Sequence, residues 1–122
     1  DVQTATRSLV GKVDAIYLPT DNTVISALEG VIKIAEQAKI PLFAADTDSV
    51  KRGAIAALGF NYYDVGRQTG AMVVKVLNGT SPAKLPVEGV EKTELFVNPG
   101  AAKRMGIELS AELIQQAKEV IQ

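Results

Sequence analysis

The chain has 122 residues, 47% of them hydrophobic, with 13 Lys and Arg against 14 Asp and Glu for a net charge of −1. That is enough chain and apolar content for one packed core and too little for two, so a globular single domain is expected rather than a disordered segment. Basic residues are spread thinly with no block among them, which argues against a surface that tracks nucleic-acid phosphates.

Cys and His are both absent. Their absence excludes disulfides, thiol chemistry, Ser-His and Cys-His nucleophile systems and ordinary zinc sites. No apolar run approaches the roughly 18 residues needed to span a bilayer. No leader of basic, apolar and small residues opens the chain, as is also expected of a trimmed mature protein.

Residues 1–11 read as a helix, with Val2, Ala5, Leu9 and Val10 near one face and Gly11 just past its end. Residues 13–18 are a short apolar run, predicted as a strand buried on both faces and stopped by Pro19. Asp21, Asn22 and Thr23 are all good N-cap types. They precede a helix running to Lys39, with Val24, Ile25, Leu28, Val31, Ile32 and Ala35 at three- and four-residue spacing. Glu29 and Lys33 on that helix are spaced for an i, i+4 ion pair.

Pro41 starts a second strand over residues 42–45, with Asp46 at its carboxyl end. Residues 49–53 suit one helical turn, and residues 54–58 form a third apolar run that Gly59 breaks. Phe60-Asn61-Tyr62-Tyr63 then crosses to a helix capped by Asp64. That helix runs to about Leu77, with Val65, Met72, Val73, Val76 and Leu77 as its apolar stripe and Asn78-Gly79 at its end.

Residues 80–86 form a loop, and residues 95–97 form a strand. Asn98-Pro99 is a cap followed by Pro at the first helical position, and Gly106 closes that helix. Ser110 caps a last helix with Leu113, Ile114, Ala117, Val120 and Ile121 on its apolar side. The order α-β-α-β-β-α-β-α-α predicts an α/β fold of three layers around a mainly parallel sheet, Rossmann-like or flavodoxin-like.

Right-handed crossovers place the loops after Leu18 and Ala45 on one edge of such a sheet, where ligands bind. Thr20, Asp21, Asn22 and Thr23 supply hydroxyl, carboxylate and amide groups at a helix start, which suits a ligand carboxylate or phosphate. Asp46, with Thr47 and Asp48, suits an ammonium or hydroxyl group. Asn61 sits among aromatics, where an amide could read an amino acid or a heteroaromatic ring.

Each of these residues also has an ordinary use. Asx and hydroxyl side chains cap helices and initiate turns, and an Asn among aromatics suits a hinge. Gly66-Arg67-Gln68-Thr69-Gly70 lacks the spacing of a phosphate loop, so close helix packing is expected there. No catalytic residue, cofactor or metal is assigned.

Three stretches carry a family resemblance: VDAIYLPTDNTVISALE, AKIPLFAADTDSVKRGAIAALGFNYYDVGRQTG and VNPGAAKRMGIELS. They resemble the substrate-binding proteins of bacterial ABC importers of the tryptophan or aromatic-amino-acid type, which have the type I periplasmic-binding fold. The resemblance spans essentially the whole chain but only the C-terminal part of the family's length. It implies two Rossmann-like lobes with a small ligand, an amino acid, held between them and delivered to an ABC permease. It also implies a periplasmic or extracytoplasmic, lipoprotein-anchored location, with no nucleic-acid partner.

On that basis residues 1–122 are a single α/β domain. It is a truncated second lobe whose residues from about 64 onward return to a missing first lobe. Asn22 and Thr23 are expected to face the ligand carboxylate and Asp46 its ammonium, with Thr20, Asp21, Thr47 and Asn61 lining the site. A lone lobe is expected to bind weakly and to pair with a second copy, as a domain-swapped homodimer. Two other classes share the fold: the effector-sensing domain of a transcription regulator, and a flavodoxin-like enzyme or phosphoacceptor using Asp21, Asp46 or Asp48.

Overall fold

Two short apolar segments set the centre of the fold. Strands β1 (Ile16–Leu18) and β2 (Leu42–Ala44) pair in parallel, with Ile16 opposite Leu42, Tyr17 opposite Phe43 and Leu18 opposite Ala44. The computed structural model describes residues 1–122 and divides them into two compact units, Asp1–Gly59 with Glu94–Gln122, and Phe60–Thr93.

In the larger unit, β3 (Ala56–Gly59) pairs antiparallel with β4 (Glu94–Val97), and β4 pairs parallel with β5 (Glu119–Val120). The lead-in to β3 joins the two small sheets. The Ile55 N–H donates to the Leu42 carbonyl, and the Ile55 carbonyl accepts from the Asn98 N–H, both at 2.8 Å. The result is an α/β fold with small, mostly parallel sheets.

Helices α1 (Val2–Leu9), α2 (Asn22–Ser26), α3 (Leu28–Ala38), α4 (Thr47–Arg52), α6 (Pro99–Arg104) and α7 (Ala111–Gln116) complete this unit. Leu28, Val31 and Ala35 of α3, Leu42, Ile55, Val97, Ala101 and Met105 are buried together in its core. Truncating a fully buried Leu such as Leu28 or Leu42 to Ala costs about 2–5 kcal/mol.

Several boundaries follow the local signals. Asp1, Asp21, Asn98 and Ser110 cap helices through their side chains. Gly11, Gly79 and Gly106 take positive φ after helix ends. Lys39 ends α3 in the left-handed conformation at φ 56, and its Nζ donates to the Arg104 carbonyl at 2.7 Å.

Other expectations are corrected. The helix predicted from residues 21–23 to Lys39 breaks at Ala27, which has φ −107 and ψ 14. Glu29 pairs with Arg52 of α4 rather than with Lys33, because the fold brings a forked guanidinium within reach. The first strand is shorter than residues 13–18 and buried on one face only, since Tyr17 is 65% exposed. The helical turn expected over residues 49–53 starts earlier, at Thr47, because Asp46 caps it. The last helix stops at Gln116. Val120 belongs to β5 instead, and the Ile121 N–H donates to the Val97 carbonyl at 2.8 Å.

The smaller unit is built on α5 (Tyr62–Leu77). Its cap is Asn61, whose Oδ1 accepts from the Tyr63 N–H at 2.8 Å, and not Asp64, which lies in the first turn. Tyr62 and Tyr63 therefore belong to the helix rather than to a crossing loop, with Tyr62 edge-on to Phe60 at 5.1 Å. Gln68 fastens the chain that follows a 3-10 turn (Pro82–Lys84). Its Nε2 donates to the Gly89 carbonyl at 2.8 Å, and its Oε1 accepts from the Glu91 N–H at 3.2 Å. No residue of α5 is buried, and Leu77 is 79% exposed.

Candidate ligand-binding edge

Parallel pairing of β1 and β2 sends their carboxyl ends to the same edge of the sheet. The loop after Leu18 carries Thr20, Asp21, Asn22 and Thr23, and the loop after Ala44 carries Asp46 and Thr47. An added Cβ on Gly59, the last residue of β3, would lie 3.0 Å from Thr47 Cγ2 and 3.3 Å from the Ala45 carbonyl oxygen. The end of β3 therefore abuts the Asp46–Thr47 loop at this edge.

The polar groups here divide by what already holds them. Asp21 caps α2, accepting from the Val24 N–H at 3.0 Å. Thr20, Asn22 and Thr23 are exposed beside it. They carry two hydroxyls and an amide, groups able to donate hydrogen bonds to an anion.

Asp46 is half-buried and doubly engaged. Its Oδ1 accepts from the Ser49 N–H at 2.8 Å, and its Oδ2 accepts from the Ser49 hydroxyl at 2.7 Å. A carboxylate has about four lone-pair sites, so each oxygen keeps acceptor capacity for a ligand. Thr47 is half-buried at the start of α4. Asp48 is 85% exposed and pairs with Lys51 at 3.5 Å. No three acidic side chains converge as a metal site.

Asn61 belongs to the smaller unit, where its side chain serves as the α5 cap. The first unit thus brings Thr20–Thr23 and Asp46–Thr47 to one edge, and Asn61 stands in the second.

Two residues at this edge were not singled out from sequence. Gly59 read only as a strand breaker. Glu94 stands opposite Gly59 in the β3–β4 ladder, with its carboxylate 3.9 Å from Lys118. No local signal marks Glu94, because antiparallel pairing across a long sequence gap brings it there.

Comparison with known proteins agrees with this architecture. The family model for ABC transporter substrate binding proteins matches residues 1–121. A tyrosine-binding protein of Clostridioides difficile is 38% identical over 119 residues, covering 97% of this chain and 34% of the relative.

Among solved structures, a conserved domain protein from Vibrio cholerae superposes with TM-score 0.82 at 44% identity, covering 98% of this chain and 40% of the other. An ABC domain from Streptococcus pneumonia in complex with L-Trp gives TM-score 0.81 at 31% identity, covering 98% and 41%. A ligand-free, open substrate binding protein with adhesive properties from Clostridium difficile gives 0.75 at 40%, covering 99% and 40%. The chain spans about a third to two-fifths of the length of these relatives. It belongs to the family of ABC transporter substrate-binding proteins.

Proposed function

We propose that the protein captures an amino acid, an aromatic one, for import through an ABC permease, and that the edge described above is one wall of its site. The observation that carries this is the convergence of two polar loops at the carboxyl end of a parallel strand pair. Asn22 and Thr23 offer donors to the ligand carboxylate, Asp46 accepts from its ammonium, and Thr20, Asp21 and Thr47 line the wall. Asn61 is a further lining residue. A relative named as tyrosine-binding and a similar structure holding L-Trp support an aromatic amino acid.

The relatives are two to three times as long as this chain, which supports a second lobe that closes over the wall. Of the residues from about 64 onward expected to return to that lobe, those up to Thr93 are assigned to it, whereas Glu94–Gln122 pack into the core of the unit that carries the wall. The exposed apolar side chains of α5, Val73, Val74 and Leu77 among them, fit a surface that it covers. The protein is placed outside the cytoplasm, on a lipoprotein anchor. The isolated chain is expected to bind weakly, because tight sites bury about 70–90% of a small ligand. It is also expected to self-associate through α5, and a clean monomer by light scattering at high concentration would overturn that.

The test is isothermal titration of the full-length protein with a panel of amino acids. Binding of L-tyrosine or L-tryptophan, weakened about tenfold or more when Asn22 and Thr23 are both changed to Ala, supports the proposal. No binding across the panel, or affinity untouched by those changes, overturns it.

A further inference from the structure

Helix α2 carries Asn22 and Thr23, yet it has only five residues and none of them is buried. Packing reaches it only through the part-buried Val24 at the edge of the core, and isolated helices of this length are not stable. Asp21 caps its start, and a side chain from another element holds its end. Arg52, the last residue of α4, donates from Nη2 to the Ile25 carbonyl at 2.9 Å. The same guanidinium meets Glu29 in the first turn of α3, with Nε and Nη2 both 2.8 Å from Oε1.

The charges suit the helix ends they touch. The cation sits at the carboxyl end of both α2 and α4, and the carboxylate sits at the amino end of α3, each matching the helix dipole. The break at Ala27 is thus bridged by one ion pair. The anchoring side is firm, since Ser49 and Val50 in α4 and Leu28 at the start of α3 are fully buried.

We infer that Arg52, braced by Glu29, is a positioning residue of the ligand site. It fixes α2, and so the Thr20–Thr23 loop, relative to the Asp46–Thr47 loop at the other end of α4. The inference rests on the proposed ligand wall. The Glu29 side chain is 69% accessible and the Arg52 side chain 36%, so solvent screens the pair and it adds little to global stability. Its consequence is geometric, because a site needs its contacts held to within about 0.5 Å. Lys cannot replace it fully, since one ammonium lacks the planar fork that serves the Ile25 carbonyl and Glu29 together.

The experiment uses the full-length protein, titrated with L-tyrosine and L-tryptophan, alongside thermal melts and amide exchange without ligand. Arg52→Ala is expected to weaken binding about tenfold, with a melting midpoint close to wild type and faster exchange at residues 24–27. Arg52→Lys should recover part of the affinity. Glu29→Gln should cost less than Arg52→Ala, because Arg52 keeps the Ile25 carbonyl.

Unchanged affinity and exchange in Arg52→Ala, while Asn22→Ala or Thr23→Ala weakens binding, would reduce Arg52 to a surface ion pair and overturn the inference. So would an affinity loss that merely tracks a lower melting midpoint. If Asn22→Ala and Thr23→Ala leave affinity intact, the ligand wall itself fails, a result separable from either of these.

Discussion

Ser49 binds Asp46 twice, through its N–H at 2.8 Å and its hydroxyl at 2.7 Å, and Ser49 is fully buried. Asp46 is therefore a structural cap as well as the proposed ammonium acceptor. Asp46→Ala should destabilise by about 2–3 kcal/mol, combining a lost cap with a buried hydroxyl left unpaired. Asp46→Asn keeps an acceptor for the Ser49 N–H and removes the charge. Urea denaturation of both variants, with titration of Asp46→Asn against L-tyrosine, separates the two roles. Equal affinity for wild type and Asp46→Asn removes Asp46 from the site.

A Cβ on Gly59 would be crowded, with Thr47 Cγ2 at 3.0 Å and the Ala45 carbonyl oxygen at 3.3 Å, so the neighbouring loop must give by a few tenths of an ångström. Gly59→Ala should displace the Ala45–Thr47 segment and cost about 1–3 kcal/mol, as overpacking does. Ligand affinity should fall with it. A stability within about 0.5 kcal/mol of wild type would show that the loop yields freely.

Asn98 is buried between two elements. Its Nδ2 donates to the Val50 carbonyl at 3.2 Å, and its Oδ1 accepts from the Ala101 N–H at 2.8 Å. Asn98→Ala removes the α6 cap and leaves the Val50 carbonyl without this partner, an expected loss of about 2–3 kcal/mol in chemical denaturation. Asn98→Asp keeps the cap but cannot donate to Val50, so it should fall between wild type and Ala.

The Glu29 carboxyl titrates below its ordinary value of 4.5. The hydrogen bond from its own backbone N–H is the main cause and the Arg52 guanidinium the next. A carboxyl lowered on folding contributes stability that is complete above its unfolded pKa and is lost as pH falls through the lowered folded value. The stability difference between wild type and Glu29→Gln should thus be constant near neutral pH and shrink below about pH 4.5. In Arg52→Ala, the Glu29 midpoint followed by NMR should rise without reaching the ordinary value, because the backbone bond remains. An unmoved midpoint would show that Arg52 does not hold the carboxylate.

Local chemistry made much of this chain legible. The caps at Ser110 and Asn98-Pro99, the closing Gly106 and the two polar loops after apolar runs depend on neighbours a few residues away. Periodicity placed α3 and α5, and Asp21 was among three adjacent candidates for its cap.

What tertiary structure decided were choices among local options of nearly equal energy. Asn61 rather than Asp64 caps α5, since both are good caps and the chain path chooses between them. Glu29 turned from Lys33 to Arg52, because a planar fork anchored on a packed helix reaches it with two N–H groups where Lys33 offers a single ammonium. Val120 left a helical pattern to pair with β4, where the open strand offered hydrogen bonds. The two loops were readable as polar and as sharing one edge from sequence, but the tertiary structure decided the register of β1 on β2 and brought Gly59 of β3 against the Asp46–Thr47 loop. Register is a long-range property, set by which apolar faces meet across the sheet.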